Sequence, residues 1–489
     1  MLHRLAAALG VAITVLTCFA QTTRQTSSEE TGADIRTLKL DFEQQWKKGD
    51  WSKAQTTLDA AYAADAAQAH TFARTLLTTG SQAVRPLAAG AIAHHAPLEQ
   101  LAELSRKLSP VQAPDERRLF VRALGTRALN AESTRQVIDI AKSFVDDPDA
   151  NVAAAAILSL ADTNDSTTIG LFIHRLIDVP STSTAASDND RQIIACATMG
   201  AFEHLSGEQP QSINEAKTWW NQAKNAGGRM PSPKAPPQQA DQEAVPRRFA
   251  GQAYYTTEKF NVFYRLGSSQ KPAEDGPLAL RAIEAALEKS TREAMDAFAP
   301  VVGKPHIPTM RLYLCDPAQF NAKAGNASFA GVTRGYEVVI KADVPRSMPS
   351  TIWHEYIHVI HNCNFVNQPR WLAEGIAMSF TLSPSARASR PGLAADRSSQ
   401  PAPQTGAFTD MINWNSGGSG DSKEASRYAT AHLCVDYLRF GGFGASNERL
   451  AFLMGQISRR KGAKAALEDV YGKSIKDLDA GLREWSQAK

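Results

Sequence analysis

At 489 residues the chain is too long for one ordinary domain, so two or three domains are expected. Its residues are 43% hydrophobic and 21% charged, which is ordinary for globular protein and allows sizeable cores. The net charge of +3 is close to neutral for this length. The composition therefore indicates no nucleic-acid partner and no anionic membrane as the main partner.

Residues 1–20 have the pattern of a signal peptide. His3 and Arg4 precede an apolar run, Leu5 to Leu16, and small residues suited to cleavage end at Ala20. The run is too short to span a bilayer, so the pattern predicts export to the periplasm or the extracellular space. It also predicts no transmembrane segment in the mature chain. A lipoprotein anchored through Cys18 is the lower-ranked alternative, because the usual Gly or Ala is missing just before this cysteine.

Four cysteines lie beyond Cys18, and an exported chain can form disulfides. They are widely scattered along the sequence: Cys196, Cys315, Cys363 and Cys434. Their spacing does not determine a pairing, and free buried thiols are at least as well supported as disulfides.

Residues 21–34 are polar and rich in Thr, Ser and Glu, which predicts a disordered tether. Residues 35–226 then show helical patterns with almost no strand signal. Four Ala-rich or Leu-rich helices in this region open behind a capping-type residue: Ser81, Asp115, Asp149 and Asp190. The spacings are 34, 34 and 41 residues. This repeat resembles the HEAT-type solenoid, in which stacked helix pairs bury faces that one pair could not bury alone. The alternative is an irregular helical bundle.

Residues 227–249 contain five prolines among Gln and Lys residues, which predicts a linker that cannot pack. We therefore expect the parts before and after the linker to fold separately, so that a fragment beginning near Ala250 folds alone. The linker divides an all-α, HEAT-like region from a domain over residues 250–489.

Strand patterns occur in this second part, which predicts an α+β domain. They cover Phe260–Tyr264, Met310–Leu314 and Tyr336–Ile340, and an amphipathic helix, Leu278–Phe298, falls between the first two. We expect the third strand to run along a cleft, where a substrate backbone could add as another strand. Residues 383–423 are rich in Ser, Gly, Ala and Pro, which predicts a mobile insertion.

The segment His354-Glu355-x-x-His358 carries the main chemical signal of the sequence. On a helix starting near Met348, the two histidines lie one turn apart and can reach one zinc ion. A catalytic zinc usually takes three protein ligands, and Glu374 on the next apolar segment is the obvious third. Glu355 is then left as the base that takes a proton from a metal-bound water. The alternative is a helix with ordinary capping or surface histidines.

A second segment, Trp371-Leu-Ala-Glu374-Gly-Ile-Ala, follows on a helix that starts after Pro369. Together the two segments resemble the gluzincin clan of zinc metallopeptidases, and the arrangement from Phe260 through Trp485 resembles bacterial peptidase MA-like domains. The resemblance implies a zincin-like fold with one zinc ion per chain. It implies that His354, His358 and Glu374 hold the ion and that Glu355 acts as base and proton shuttle.

The chain also departs from the family pattern. Only fifteen residues separate His358 from Glu374, and Met378 stands where an Asp would support the ligand histidines. The G-x-M-E-N strand of the aminopeptidases is absent, so aminopeptidase specificity is not supported. The metzincin alternative fails, because it requires Gly at His361 and His at Asn364.

A further donor should stabilise the oxyanion that forms during hydrolysis. Tyr428 is the candidate, because the family carries a tyrosine on the helix after the glutamate. A core or surface role for this tyrosine is equally supported. His432, four residues further on, is the fallback donor, and His361 is expected to be a bystander.

These patterns predict a secreted zinc metallopeptidase that hydrolyses a peptide or protein substrate. One alternative is an inactive zincin-fold binding protein with a structural or degenerate metal site. The other is a scaffold, in which the helical repeats recognise a protein partner.

Overall fold

The computed structural model describes residues 35–48, 50–81, 84–108, 114–127, 131–172, 188–208, 213–225, 252–256, 260–265, 291–299, 301–302, 307–315, 317–324, 330–341, 348–365, 367–381, 406–414, 424–458 and 462–487. The predicted signal peptide, tether and linker lie outside these residues. Most of the predicted insertion and the first part of the predicted helix Leu278–Phe298 also lie outside them.

The part of the chain before the linker is helical, as the sequence predicts. Its helices are α1 Ile35–Lys48, α2 Trp51–Ala64, α3 Ala66–Thr79, α4 Val84–His95, α5 Leu98–Lys107, α6 Pro114–Thr126, α7 Ala131–Lys142, α8 Ala150–Asp162, α9 Asp188–Ser206 and α10 Ile213–Asn225. Aspartates are the N-cap residues of three of these helices, because each carboxylate accepts hydrogen bonds from backbone N–H groups that have no partner within the first turn. They are Asp50, Asp65 and Asp149.

The helices at the four repeat positions pack one after another, α4 on α6, α6 on α8 and α8 on α9, while α5 packs on α7. Two buried arginines of α6 join neighbouring elements. Arg117 Nε lies 2.8 Å from Oδ2 of Asp147, and Arg122 Nη1 lies 2.8 Å from Oδ2 of Asp162. Because a buried charge is costly unless paired, these ion pairs fix which helices are neighbours.

A mixed five-stranded sheet follows, with strand order β1-β2-β3-β5-β4. The strands are β1 Gln252–Thr256, β2 Phe260–Arg265, β3 Met310–Cys315, β4 Gly331–Arg334 and β5 Glu337–Lys341, and α11 Pro317–Ala324 lies between β3 and β4. The three predicted strands are confirmed as β2, β3 and β5, whereas β1 and β4 were not predicted.

The expected position of the third strand is wrong. β5 pairs in parallel with β3 on one side and antiparallel with β4 on the other, so no further strand can add to it. The outermost strand on this side of the described sheet is β4. A substrate backbone adding to this side of the sheet would pair with β4.

Helices dominate the rest of the chain. They are α12 Met348–Asn362, α13 Arg370–Thr381, α14 Ala407–Ile412, α15 Glu424–Phe440, α16 Asn447–Ser458, α17 Ala463–Tyr471 and α18 Ile475–Gln487. The starts predicted for α12 and α13 are confirmed. α12 packs on β4, β5 and α13, and α13 packs on α15.

The prediction of a mobile insertion over 383–423 is wrong for residues 406–414. The side chains of Phe408, Met411 and Trp414 are buried, and the backbone N–H of Phe408 donates to Oδ1 of Asp479 at 2.7 Å. The low apolar content of the whole segment concealed three large side chains clustered in this short stretch.

The two parts share a hydrophobic cluster, and whether each folds separately stays a prediction. Trp51, Leu87 and Cys196 of the helical region are buried in the same cluster as the apolar residues of α12 and α13. The ring of Trp51 packs edge-on against Phe452, with 3.8 Å between centroids. A proline-rich sequence is a guide only to that segment, and it says nothing about the surfaces on either side.

None of the helices in the described ranges has a run of apolar residues sufficient to span a bilayer.

Candidate metal centre

Helix α12 places two imidazoles on one side, and apolar residues on its other sides pack into the core. Ile352, Ile357 and Ile360 are fully buried against the sheet and the neighbouring helices. His354 and His358 are one turn apart and partly buried. Burial of the apolar faces thus fixes the direction in which the histidines point.

Helix α13 brings Glu374 to the same place. Trp371, Leu372 and Ile376 anchor this helix in the core, and each is fully buried. Gly375 allows α15 to approach closely, because a Cβ at this position would lie 2.5 Å from the backbone oxygen of Ala431. The Glu-Gly pair therefore presents a carboxylate on one side and a tight helix contact on the other.

The three side chains meet in a nearly equilateral triangle. Nε2 of His354 lies 3.2 Å from Nε2 of His358 and 3.2 Å from Oε2 of Glu374. Nε2 of His358 lies 3.4 Å from the same Oε2. Ligand atoms on a tetrahedral ion with bonds of about 2.0–2.1 Å lie about 3.3 Å apart. These three residues form a group that could hold one metal ion, and their donor set and spacing fit zinc.

The charges of the three residues are strongly coupled. Burial alone would lower the pKa of His358, but hydrogen bonding and charge attraction by Glu374, with a smaller contribution from Glu355, raise it above its ordinary value. Burial alone would raise the pKa of Glu374, but its hydrogen bonds to His354 and His358 hold that pKa well below the usual range. An ionised carboxylate that is partly buried is stabilised by a nearby positive charge, and a metal ion can supply that charge.

Glu355 is buried on the side of α12 that faces β4. Its Oε2 accepts a hydrogen bond from the hydroxyl of Thr333 at 2.5 Å. Its Oε1 lies against Gly331, where an added Cβ would be only 2.8 Å away. Strand β4 therefore orients this carboxylate with one side chain and makes room for it with a glycine.

Neither Thr333 nor Gly331 was singled out from the sequence. Strand β4 is four residues long, and its contact with Glu355 depends on pairing with β5 rather than on a local pattern. No signal in the sequence indicates these two contacts.

Tyr428 contacts the helix that carries Glu374. Its hydroxyl accepts a hydrogen bond from Nη2 of Arg370 at 3.1 Å, and its ring packs edge-on against Trp414. The guanidinium of Arg370 also lies 4.9 Å from the ring centroid of Trp414. Arg370 precedes Glu374 by one helical turn, so Tyr428 is connected to α13 through this arginine.

The two remaining histidines of this region lie outside the group of three. Nε2 of His432 lies 3.2 Å from Oδ2 of Asp436 on the same helix. His361 is buried, and its Nδ1 lies 3.2 Å from Oδ1 of Asn362. Burial, followed by the charge of His358, lowers the pKa of His361 to about 3, so this imidazole is neutral at ordinary pH.

Comparison of the sequence with protein-family models and with curated proteins finds no match.

Proposed function

We propose that the protein is a zinc metallopeptidase of the two-histidine, one-glutamate type, which hydrolyses peptide bonds in a peptide or protein substrate. The observation that carries the proposal is the triangle of ligand atoms from His354, His358 and Glu374, with sides of 3.2, 3.2 and 3.4 Å. Three protein ligands leave the fourth position of a tetrahedral ion open, as catalytic zinc requires.

A zinc ion held by His354, His358 and Glu374 would supply Lewis-acid chemistry, by acidifying a water molecule and polarising the carbonyl of the scissile bond. Glu355 accepts the proton of the attacking water and later passes it to the leaving amine. Its immediate position after His354, and its hydrogen bond to Thr333, support this role. Tyr428 on α15 is proposed to donate a hydrogen bond to the developing oxyanion.

We further propose that the substrate backbone lies along β4. This strand is outermost in the described sheet, and it contacts Glu355 through Thr333 and Gly331. An extended peptide added to β4 would pass in front of that carboxylate. A zincin-like description of residues 250–489 is supported by this combination of a sheet, an outer strand and two ligand-bearing helices.

The HEAT-like description of the helical region is likewise a proposal. The succession of packed helices α4, α6, α8 and α9 supports it. We also propose that the protein is exported, on the pattern that ends at Ala20. Sequencing of the N-terminus of the mature protein tests cleavage after that residue.

The experiment that tests the enzymatic proposal combines metal analysis with three forms of the full-length protein. The wild type should contain one zinc ion per chain and should cleave members of a peptide library. Glu374→Ala should lose affinity for zinc. Glu355→Gln should retain zinc and lose turnover, because Glu355 is not a ligand. Equal loss of zinc in both variants would show that the roles are misassigned.

The same comparison separates the enzyme from the alternatives. A binding protein with a structural metal site would contain zinc, but no peptide would be cleaved by the wild type. A scaffold would bind its protein partner equally well in all three forms, without zinc or cleavage. Stoichiometric zinc together with cleavage that Glu355→Gln abolishes would exclude both alternatives.

A further inference from the structure

The connection between the two ligand-bearing helices is held from two directions. At its start, the backbone oxygen of Asn364 accepts a hydrogen bond from Nη2 of Arg118 at 2.6 Å. Near its end, the side-chain nitrogen of Gln368 donates to the backbone oxygen of Met454 and to the hydroxyl of Ser458, both at 2.9 Å. The relative placement of α12 and α13, and hence of His358 and Glu374, depends on these anchors.

Arg118 belongs to α6 of the helical region, far from α12 in sequence. Its side chain is buried, and its guanidinium lies 5.5 Å from the ring centroid of Phe365. Burial lowers the pKa of Arg118 to about 10, so the side chain remains protonated at neutral pH. A positive charge beside the last carbonyls of a helix is favourable, because those carbonyls lack partners within the helix and carry partial negative charge.

Other contacts also join the helical region to the second part of the chain near the end of α12. Cys196 on α9 and Cys363, which directly precedes Asn364, are buried in the same hydrophobic cluster. The carboxylate of Glu203, also on α9, accepts a hydrogen bond of 2.8 Å from the backbone N–H of Thr309. The helical region therefore packs against the end of α12 and not only against the surface of the second part of the chain.

We propose that Arg118 is a positioning residue of the metal centre, which makes the helical region part of the catalytic unit. This inference rests on the proposed function, because it assigns Arg118 a role in the geometry of the zinc ligands. The guanidinium fixes the C-terminal end of α12 and the first residues of the connection to α13. Loss of this contact lets the two helices shift relative to each other, and the three ligand atoms then no longer match one tetrahedral ion.

The test uses the full-length protein with the substitutions Arg118→Gln and Arg118→Lys. Arg122→Gln is the matched control, because Arg122 is also a buried arginine of α6 but donates to the backbone oxygen of Val302 rather than to the residues that follow α12. Three quantities are measured for each form: the thermal midpoint, the zinc dissociation constant against a competing chelator, and the visible absorption of the cobalt-substituted protein.

Arg118→Gln should weaken zinc binding by about tenfold or more, the usual effect of losing a group that orients metal ligands. It should also change the cobalt spectrum, which reports the ligand geometry. Arg118→Lys should restore part of the affinity, because its ammonium can reach the same carbonyl. Arg122→Gln should lower the thermal midpoint and leave both zinc binding and the spectrum unchanged.

A measurement on the wild type makes the test independent of variants that fail to fold. Because coupling between two sites is reciprocal, zinc should slow amide hydrogen exchange in the peptide that covers Pro114–Thr126. Absence of that protection, or wild-type zinc affinity in Arg118→Gln, overturns the inference while the proposed enzyme stands. A wild-type protein that binds no zinc overturns the proposed function and this inference with it.

Discussion

The hydroxyl of Thr333 on β4 donates to Oε2 of Glu355 on α12 at 2.5 Å. The same hydroxyl lies 3.2 Å from the backbone oxygen of Glu355. One threonine of the outer strand therefore orients the side chain, and contacts the backbone, of the residue that the proposed mechanism uses as base.

Replacement of this threonine by valine should slow the chemical step. Thr333→Val keeps the shape of the side chain and removes the hydrogen bond to the carboxylate, so kcat should fall about tenfold, equivalent to about 1.4 kcal/mol. KM and zinc content should change little. Thr333→Ser retains the hydroxyl and should recover most of the activity. Unchanged kcat in the valine variant would show that Glu355 is oriented by other contacts.

Addition of a methyl group at Gly331 should displace the same carboxylate. The new Cβ would lie 2.8 Å from Oε1 of Glu355 and 2.9 Å from Cγ2 of Thr351. We expect Gly331→Ala to reduce turnover at least tenfold while zinc content stays near one per chain. Gly462→Ala is the control, because nothing lies within 4 Å of a Cβ at that glycine. Equal activity of the two variants would contradict a close approach of β4 to Glu355.

Tyr428→Phe should lower turnover by about two to three orders of magnitude, the usual effect of losing one oxyanion donor. The guanidinium of Arg370 donates to the tyrosine oxygen, which polarises the hydroxyl and improves it as a donor. Substrate binding should change less, because the charge develops only in the transition state. Tyr437→Phe on the same helix should leave turnover unchanged. Near-normal activity of Tyr428→Phe would instead make His432 the first candidate.

The stability of the folded protein should depend on pH through Glu203, which lies where the helical region meets the second part of the chain. Burial raises the pKa of this carboxyl to about 7, although its hydrogen bonds to Thr309 act in the opposite direction. Because the folded protein binds the proton more tightly than the unfolded chain, the contribution of Glu203 to stability is complete at low pH. As the pH rises from about 4.5 to about 7, this contribution to the free energy of unfolding is lost, and the loss is about 3 kcal/mol at most.

Glu203→Gln isolates this effect, because the amide resembles the protonated carboxyl. Denaturant unfolding between pH 4 and pH 8 should show the variant gaining stability relative to the wild type as the pH rises, with a plateau above neutrality. A difference between the two proteins that stays constant with pH would show that Glu203 titrates at its ordinary value.

The ligand residues could be predicted from the sequence because their geometry is local. The spacing of His354 and His358 follows from the helical repeat, and the starts of α12 and α13 were predicted from Met348 and Pro369. Glu374 stood out because it is a lone acid in an apolar segment. A short stretch of chain contains all of the information that these assignments require.

The contacts that support the ligands could not be predicted, because they join distant segments. The hydrogen bond from Arg118 to Asn364 spans 246 residues, and a buried arginine looks the same in sequence whatever it contacts. Thr333 reaches Glu355 only because β4 pairs with β5 at the outside of the sheet. Phe408 was missed because its helix is short and is surrounded by polar sequence.

The packing of Trp51 against Phe452 closes a loop that contains most of the chain. Such a contact forms late in folding, because a long loop must lose much of its freedom before any contact energy offsets that loss. The ribosome completes the helical region first, yet Trp51 lacks this neighbour until α16 has been synthesised. Nascent protein therefore carries an uncovered apolar surface through most of its synthesis, until α16 becomes available to cover Trp51.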